Sequence, residues 1–254
     1  MSKVILVTGV SRGIGKSIVD TLLSLNKDVI IYGIARTEAP LKNLKETYGD
    51  RFFYSVGDIT DKALLKKYIM SAVEGHGRID SVVANAGVLE PVQNVNEIDV
   101  NGWKNLFNIN FFSIVSLVSL ALPYLKMTNG NAVFVSSDAS DTYFSSWGAY
   151  GSSKAALNHF AMTLANEEKA VKAVAVAPGI VDTDMQVNIR EKVGPKGMDE
   201  EALKMFRDLK SQNKLVDSSV PATVYSKLAL NGIPDSVNGK YVSYDVEILN
   251  DYQH

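Results

Sequence analysis

The chain has 254 residues, 46% hydrophobic and 21% charged, which suits one sizeable domain with one large core better than two. Its formal net charge is −2 and its Lys and Arg are scattered, so it offers no concentrated basic surface to a nucleic acid or an anionic membrane. The absence of cysteine excludes disulfides, thiol catalysis and cysteine-ligated metals, and His76, His159 and His254 form no metal-ligand spacing with one another.

Met1-Ser2-Lys3 leads straight into an apolar run, which leaves no room for a signal or transit peptide. The ending Asp251-Tyr252-Gln253-His254 is no peroxisomal or retention address, and the expectation is a cytoplasmic protein. Short β-branched runs predict strands at Val4–Val7, Val29–Ala35, Phe52–Val56, Ser81–Ala84, Ala132–Ser136, Ala173–Ala177 and Lys240–Tyr244. Gly, Asp, Asn or Pro bound them. Helical periodicity lies between, as at Ile14–Leu25 and Lys62–Val73, where Leu64, Leu65, Tyr68, Ile69 and Ala72 share one side. Strands apolar on both faces, alternating with helices, predict an α/β fold. The expectation is a single doubly wound, Rossmann-type parallel sheet of about seven strands, with helices on both faces, in one domain spanning 1–254.

From Asn105 to Leu125 no residue is charged, and FFSIVSLVSLALPYL is nearly membrane-like. Asn105, Asn108 and Asn110 would each need a partner in hydrocarbon. The run therefore reads as a helix buried on both sides, against a sheet and a neighbouring subunit.

In such a fold ligands bind beyond the carboxyl ends of the strands. The segments to inspect are thus 8–15, 36–38, 57–60, 85–87, 136–140 and 177–185. The stretch TGVSRGIGKS contains pieces of two phosphate loops. A triphosphate loop would need glycine at Val10, and a G-x-G-x-x-G fingerprint would need it at Ile18. What remains is Thr8-Gly9, Gly13 and Gly15 after a strand and opening a helix, where glycine admits a pyrophosphate to the free N–H groups. A tight turn without ligand is the alternative. After the second strand, Ala35 stands where a ribose-binding acid is expected, and Arg36 follows. Glu38, two residues late, reads as a helix-start carboxylate. Arg36 and Arg12 together suit a 2′-phosphate and favour NADP(H), although either could be a surface arginine.

Tyr150 and Lys154 stand four apart on a predicted helix, hence on one face. With 11 Tyr and 20 Lys such a spacing is expected by chance, so the pair alone says nothing. Its context is Ser137 after a strand, Asn110 in the long apolar helix, Asn85-Ala86-Gly87 closing the fourth strand and Pro178-Gly179 closing the sixth.

In this order the motifs resemble the short-chain dehydrogenase/reductase family over nearly the whole chain. Thr8–Gly15 matches the family's glycine loop, which implies cofactor contacts at Gly9, Ser11, Arg12, Gly13, Ile14 and Gly15. Asp58 and Ile59 in GDIT match the adenine-contacting position, and Asn85, Ala86 and Gly87 the NAG motif. The catalytic tetrad falls on Asn110, Ser137, Tyr150 and Lys154. Pro178, Gly179, Val181 and Thr183 match the nicotinamide-side motif. The tail NGKYVSYDVEILNDYQH departs from the Asp-Gly-Gly ending common in the family.

The resemblance implies that Tyr150 donates a proton to a carbonyl oxygen as hydride arrives from nicotinamide. A free phenol has a pKa near 10, and Lys154 and oxidised nicotinamide are expected to lower it. The resemblance further implies that Lys154 holds the ribose hydroxyls, that Ser137 bonds the substrate oxygen, and that Asn110 anchors a water in the proton path. Taken singly, Ser137 also fits a strand-end cap and Asn110 a satisfied core amide.

Candidates for the substrate wall are Glu90, Pro91, Asp138, Ala139, Tyr143, Phe144 and Trp147. A lid at 185–215, hinged at Gly194, Pro195 and Gly197, would carry Met185, Met198, Met205 and Phe206, either over an apolar ligand or packed on the body. The aromatics favour a flat carbonyl compound, and the chain is similar to the sepiapterin-reductase and benzil-reductase-like branch. The expected activity is NADP(H)-dependent reduction of a small ketone or α-diketone. A 3-oxoacyl-thioester reductase is the alternative, and a non-catalytic NADP(H)-binding sensor would be expected to lack the Tyr/Lys pair. The expected partners are a small carbonyl substrate and further copies of the chain, as a homodimer or homotetramer built on the long apolar helix and the one beginning near Tyr150.

Overall fold

The computed structural model of the chain describes residues 2–253, so Met1 and His254 lie outside the described residues. Among these, seven strands form one parallel sheet: β1 (Lys3–Thr8), β2 (Val29–Ala35), β3 (Phe52–Val56), β4 (Ser81–Ala84), β5 (Asn131–Val135), β6 (Lys172–Ala177) and β7 (Tyr241–Ser243). Their order is β3-β2-β1-β4-β5-β6-β7, so the winding direction reverses between β1 and β4. Val4 of β1 pairs with Ile30, and Leu6 with both Tyr32 and Val82.

The strands alternate side chains between two cores, as a period of two requires. Ile5, Val7, Val133 and Val174 point to one face, where α1 (Gly13–Leu25), α2 (Glu38–Tyr48) and α10 (Ser219–Asn231) pack with Ile18, Leu22, Leu41 and Leu228. Val4, Leu6, Val82 and Phe134 point to the other, against α3 (Lys62–His76), α5 (Ser113–Thr128) and α6 (Gly148–Glu167). Each fully buried Leu or Ile contributes about 1.5–3 kcal/mol. Local signals mark the helix ends: Asp61 accepts from the N–H groups of Ala63 and Leu64 to start α3, and Gly77, at φ 72°, ends it.

The apolar run is helical over 29 residues from Val100 to Thr128 and contains an 18-residue stretch of mean hydropathy 1.8, long and apolar enough by composition to cross a membrane. It divides into α4 (Val100–Phe107), a π-helical turn (Asn108–Phe112) and α5. Ile114, Leu117, Val118, Ala121 and Leu125 bury against the sheet and α3, while Phe112 and Met127 stay exposed. The extra residue in the π turn is positioned where Asn110 enters the interior.

Beyond β6 the chain runs through α7 (Asp184–Asn188), a second π turn (Ile189–Val193), α8 (Gly194–Gly197) and α9 (Glu200–Ser211), before Val216 bridges back to Val181. The span expected as a lid is thus mostly helical. The tail ends in α11 (Asn250–Gln253).

Candidate active site

A cavity of about 660 Å³ opens where the winding reverses, lined by residues that follow six of the strands. Its floor at one end is the glycine loop. Gly9 at φ 74° and Gly13 at φ 53° adopt the left-handed backbone that side chains disfavour. α1 starts with Arg12 as its N-cap, without a side-chain cap and with no acid in the first turn. Its free N–H groups therefore remain available to an anion in the cavity, which is what the phosphates of a dinucleotide require. Lys16 and Ser17 take no part: Lys16 pairs with Asp20 at 2.6 Å, and Ser17 bonds Ser218 at 2.8 Å.

Of the expected cofactor contacts, Gly9, Ser11, Arg12, Gly13, Ile14, Arg36, Asp58, Ile59, Asn85, Ala86, Gly87, Pro178, Gly179, Val181 and Thr183 all line this cavity. Gly15 is a correction. It lies behind the loop, where a Cβ would collide with the carbonyl oxygen of Gly9 and the amide nitrogen of Asn85, so it is glycine for packing. Asn85 is likewise committed to the protein: its Nδ2 donates to the carbonyls of Thr8 (2.9 Å) and Gly9 (3.1 Å), tying β4 to the loop. Arg12 faces Asp184 across the cavity mouth at 3.2 Å, both well exposed. Arg36 forms no ion pair among the described residues and stands exposed at the rim. The N–H of Thr60 is the main cause holding Asp58 below the usual carboxylate range, and nearby Arg36 adds to it.

At the other end α6 brings Tyr150 and Lys154 to the cavity wall beside Ser137. The Ser137 hydroxyl stands near enough to the Tyr150 phenol to favour its ionised form, and it accepts the N–H of Ala139 at 3.2 Å. Lys154 donates from Nζ to the carbonyl of Val135 at 2.7 Å and lies 5.7 Å from the Tyr150 ring centre. Burial pushes Lys154 down to about 8 and Tyr150 up to about 12. In the protein alone desolvation is the main cause that raises the phenol, against the lowering effect of the Ser137 hydroxyl.

Asn110 lies just behind the cavity wall, in the π turn. Fully buried, its side chain accepts from the N–H of Val88 (2.8 Å) and donates to the carbonyl of Val88 (2.8 Å) and to Ser153 Oγ (3.2 Å). Its side chain does not line the cavity, and Oδ1 keeps one lone pair beyond the bond from Val88. These bonds fix the chain after β4.

The substrate end is aromatic. Trp147 stacks on Phe144, at 5.0 Å, and on Phe206, at 5.4 Å, the two phenyl rings lying 6.2 Å apart, and it meets Tyr150 edge-on at 5.6 Å. Asp138, Phe144, Trp147, Met185, Phe206 and Glu90 line the cavity. Tyr143 does not: it is 84% exposed, since Phe144 takes the inward place on Trp147 and the neighbouring side chain turns out. Pro91 and Ala139 stay off the wall, Met198 packs beside the aromatic cluster, and Met205 faces outward next to inward Phe206. Leu89, Gln186, Ile189 and Lys192 line the cavity and were not foreseen. Burial pushes the Asp138 carboxyl up, against a hydrogen bond from Tyr241.

The short chain dehydrogenase family model matches residues 3–194. An uncharacterized oxidoreductase of Saccharomyces cerevisiae, YIR035C, is 76% identical over 252 residues, covering 99% of each chain. A crystal structure of the protein of that name superimposes with a TM-score of 0.99 at 75% identity, over 100% of both chains. A second Saccharomyces cerevisiae protein, the (S)-benzoin-forming benzil reductase IRC24, is 51% identical over the full length of both. A further solved structure, described as a cytoplasmic protein of unknown function from the same yeast, has a TM-score of 0.87 at 74% identity, over 100% of both chains. The chain belongs to the short-chain dehydrogenase/reductase family, oxidoreductases that use a nicotinamide cofactor.

Proposed function

We propose that the protein is a cytoplasmic, NADPH-dependent reductase of small aryl ketones and α-diketones. One observation carries the substrate side: the Phe144–Trp147–Phe206 stack forms a flat apolar wall beside the Tyr150 and Ser137 hydroxyls. A planar aryl group lies along such rings, while a sugar would leave its hydroxyls unpaired against them. The likeness to a benzil reductase supports the same reading. Segment 185–215 would act as the cover, with Met185, Ile189 and Phe206 excluding water.

When bound, reduced nicotinamide would supply the hydride. Tyr150, protonated through the neutral range with its phenol near 12, passes its proton to the substrate oxygen. Ser137 donates a second hydrogen bond to that oxygen as its negative charge develops. Lys154, charged below about 8, stabilises the phenolate that remains and would hold the ribose hydroxyls. Asn110 acts one step back, by fixing the segment that carries Val88.

NADPH oxidation against benzil, a pterin, a sugar and a 3-oxoacyl thioester tests the assignment. Benzil is the expected substrate, and activity on the thioester alone would overturn it.

The cofactor side rests on Arg36, which would meet the 2′-phosphate, with Ala35 standing where a ribose-binding acid is expected. Arg36→Asp should weaken NADPH by about 30-fold, from the loss of a charge-assisted bond worth about 2 kcal/mol, and should leave NADH little affected. Titration of both cofactors by fluorescence reads this; equal changes for the two would remove Arg36 from the phosphate.

A further inference from the structure

Among the described residues, the indole Nε1 of Trp147 is a buried side-chain polar atom with no hydrogen-bond partner. Trp147 is 7% exposed and lines the cavity. Buried donors are nearly always paired, because an N–H stripped of water and given no acceptor is unfavourable. The polar side chains beside it are already engaged. Ser145 Oγ accepts from the N–H of Asp199 at 3.1 Å, and Ser146 donates to the carbonyl of Gly197. The rings of Phe144 and Phe206 packed against the indole bring no polar acceptor.

We propose that this N–H is reserved for the substrate: it donates to a second oxygen next to the reacting carbonyl, and so selects 1,2-dicarbonyl compounds over simple ketones. The inference rests on the carbonyl-reductase reading above and gives it a specificity-determining residue. The reacting oxygen already has two donors, the hydroxyls of Tyr150 and Ser137, so a third donor needs a different acceptor. The Trp147 and Tyr150 rings are 5.6 Å apart, close enough for one small molecule with acceptors on adjacent carbons to meet both. Nε1 is closed to solvent as the chain stands. A ligand reaching it therefore displaces a neighbouring side chain and no bound water. A monoketone leaves the donor orphaned, and a site built around a buried donor rejects analogues that lack the acceptor.

The experiment compares benzil with deoxybenzoin, which has the same two rings and lacks one carbonyl. Intrinsic reactivity differs between the two ketones, so the readout is the ratio of their kcat/KM values in wild type divided by the same ratio in Trp147→Phe. The expected result is a fall in selectivity of about tenfold, which is about 1.4 kcal/mol, with the loss falling on benzil. An equal loss on both substrates overturns the inference, since Trp147 would then be only a wall or an edge-on support for Tyr150. Reduction of neither ketone by the wild type overturns the carbonyl-reductase reading and this inference with it. Should Trp147→Phe fail to fold, benzothienylalanine at position 147 keeps the two-ring shape and removes only the donor, and the same ratio decides.

Discussion

Tyr150→Phe is expected to lower NADPH-dependent turnover by about 10²–10⁴-fold, the usual contribution of a positioned general acid, while NADPH binding changes little. The substitution keeps the ring, and with it the edge-on contact to Trp147 at 5.6 Å. It removes the phenol that stands beside Ser137, whose hydroxyl alone cannot replace an acid. The fold should lose no more than about 1 kcal/mol with the phenol oxygen, too little to unfold a chain of this size. Single-turnover kinetics and a cofactor titration on the same preparation separate the effects. Full activity in the variant would remove Tyr150 from the mechanism, and lost NADPH binding would make it a structural residue.

Much of this site was legible because each polar residue follows a strand whose β-branched run is unambiguous. Thr8, Asn85 and Ser137 stand at such ends, and the parallel sheet brings the ends together. The roles were less legible than the positions. Asn85 and Gly15 match a cofactor motif, yet both serve the loop itself, one by bonding its carbonyls and one by leaving room for them. Asn110 matches a catalytic motif, and only the structure shows that its side chain also ties down Val88 from within a π turn. Tyr143 and Phe144 are equivalent by composition; stacking on Trp147 decides which one points inward. Leu89 and Ile189 carried no sequence signal, because their places depend on how the chain after β4 and the second π turn fold back over the cavity. The phenol's surroundings were hidden for a similar reason: a lysine four residues away is visible in sequence, and the burial that raises the phenol is not.

Lys154→Met is expected to stabilise the protein and inactivate it together. In the unfolded chain this lysine titrates near 10.5, and burial brings it to about 8 in the fold. Between those values the unfolded chain binds the extra proton, so stability rises with pH across that window. Below about 8 the fold carries a desolvated ammonium whose hydrogen bond runs to the carbonyl of Val135 at 2.7 Å. The drop from 10.5 corresponds to about 3 kcal/mol against the charged form. Losing the bond to Val135 returns about 1 kcal/mol, so methionine, of similar length and apolar, should leave a net gain of about 1–2 kcal/mol. For a chain of this size that raises Tm by about 4 °C near pH 7, and the gain should vanish by pH 10.5. Turnover should fall by about 100-fold or more, because the phenolate left on Tyr150 loses its cation. The same charge sets the alkaline limb of the wild type: reduction should decline as pH rises through about 8, well before the phenol at about 12 can lose its proton. A variant that melts below wild type at pH 7 would show that Lys154 holds the fold together. A variant that melts higher and stays inactive would show that the buried charge is kept for the chemistry at the expense of stability.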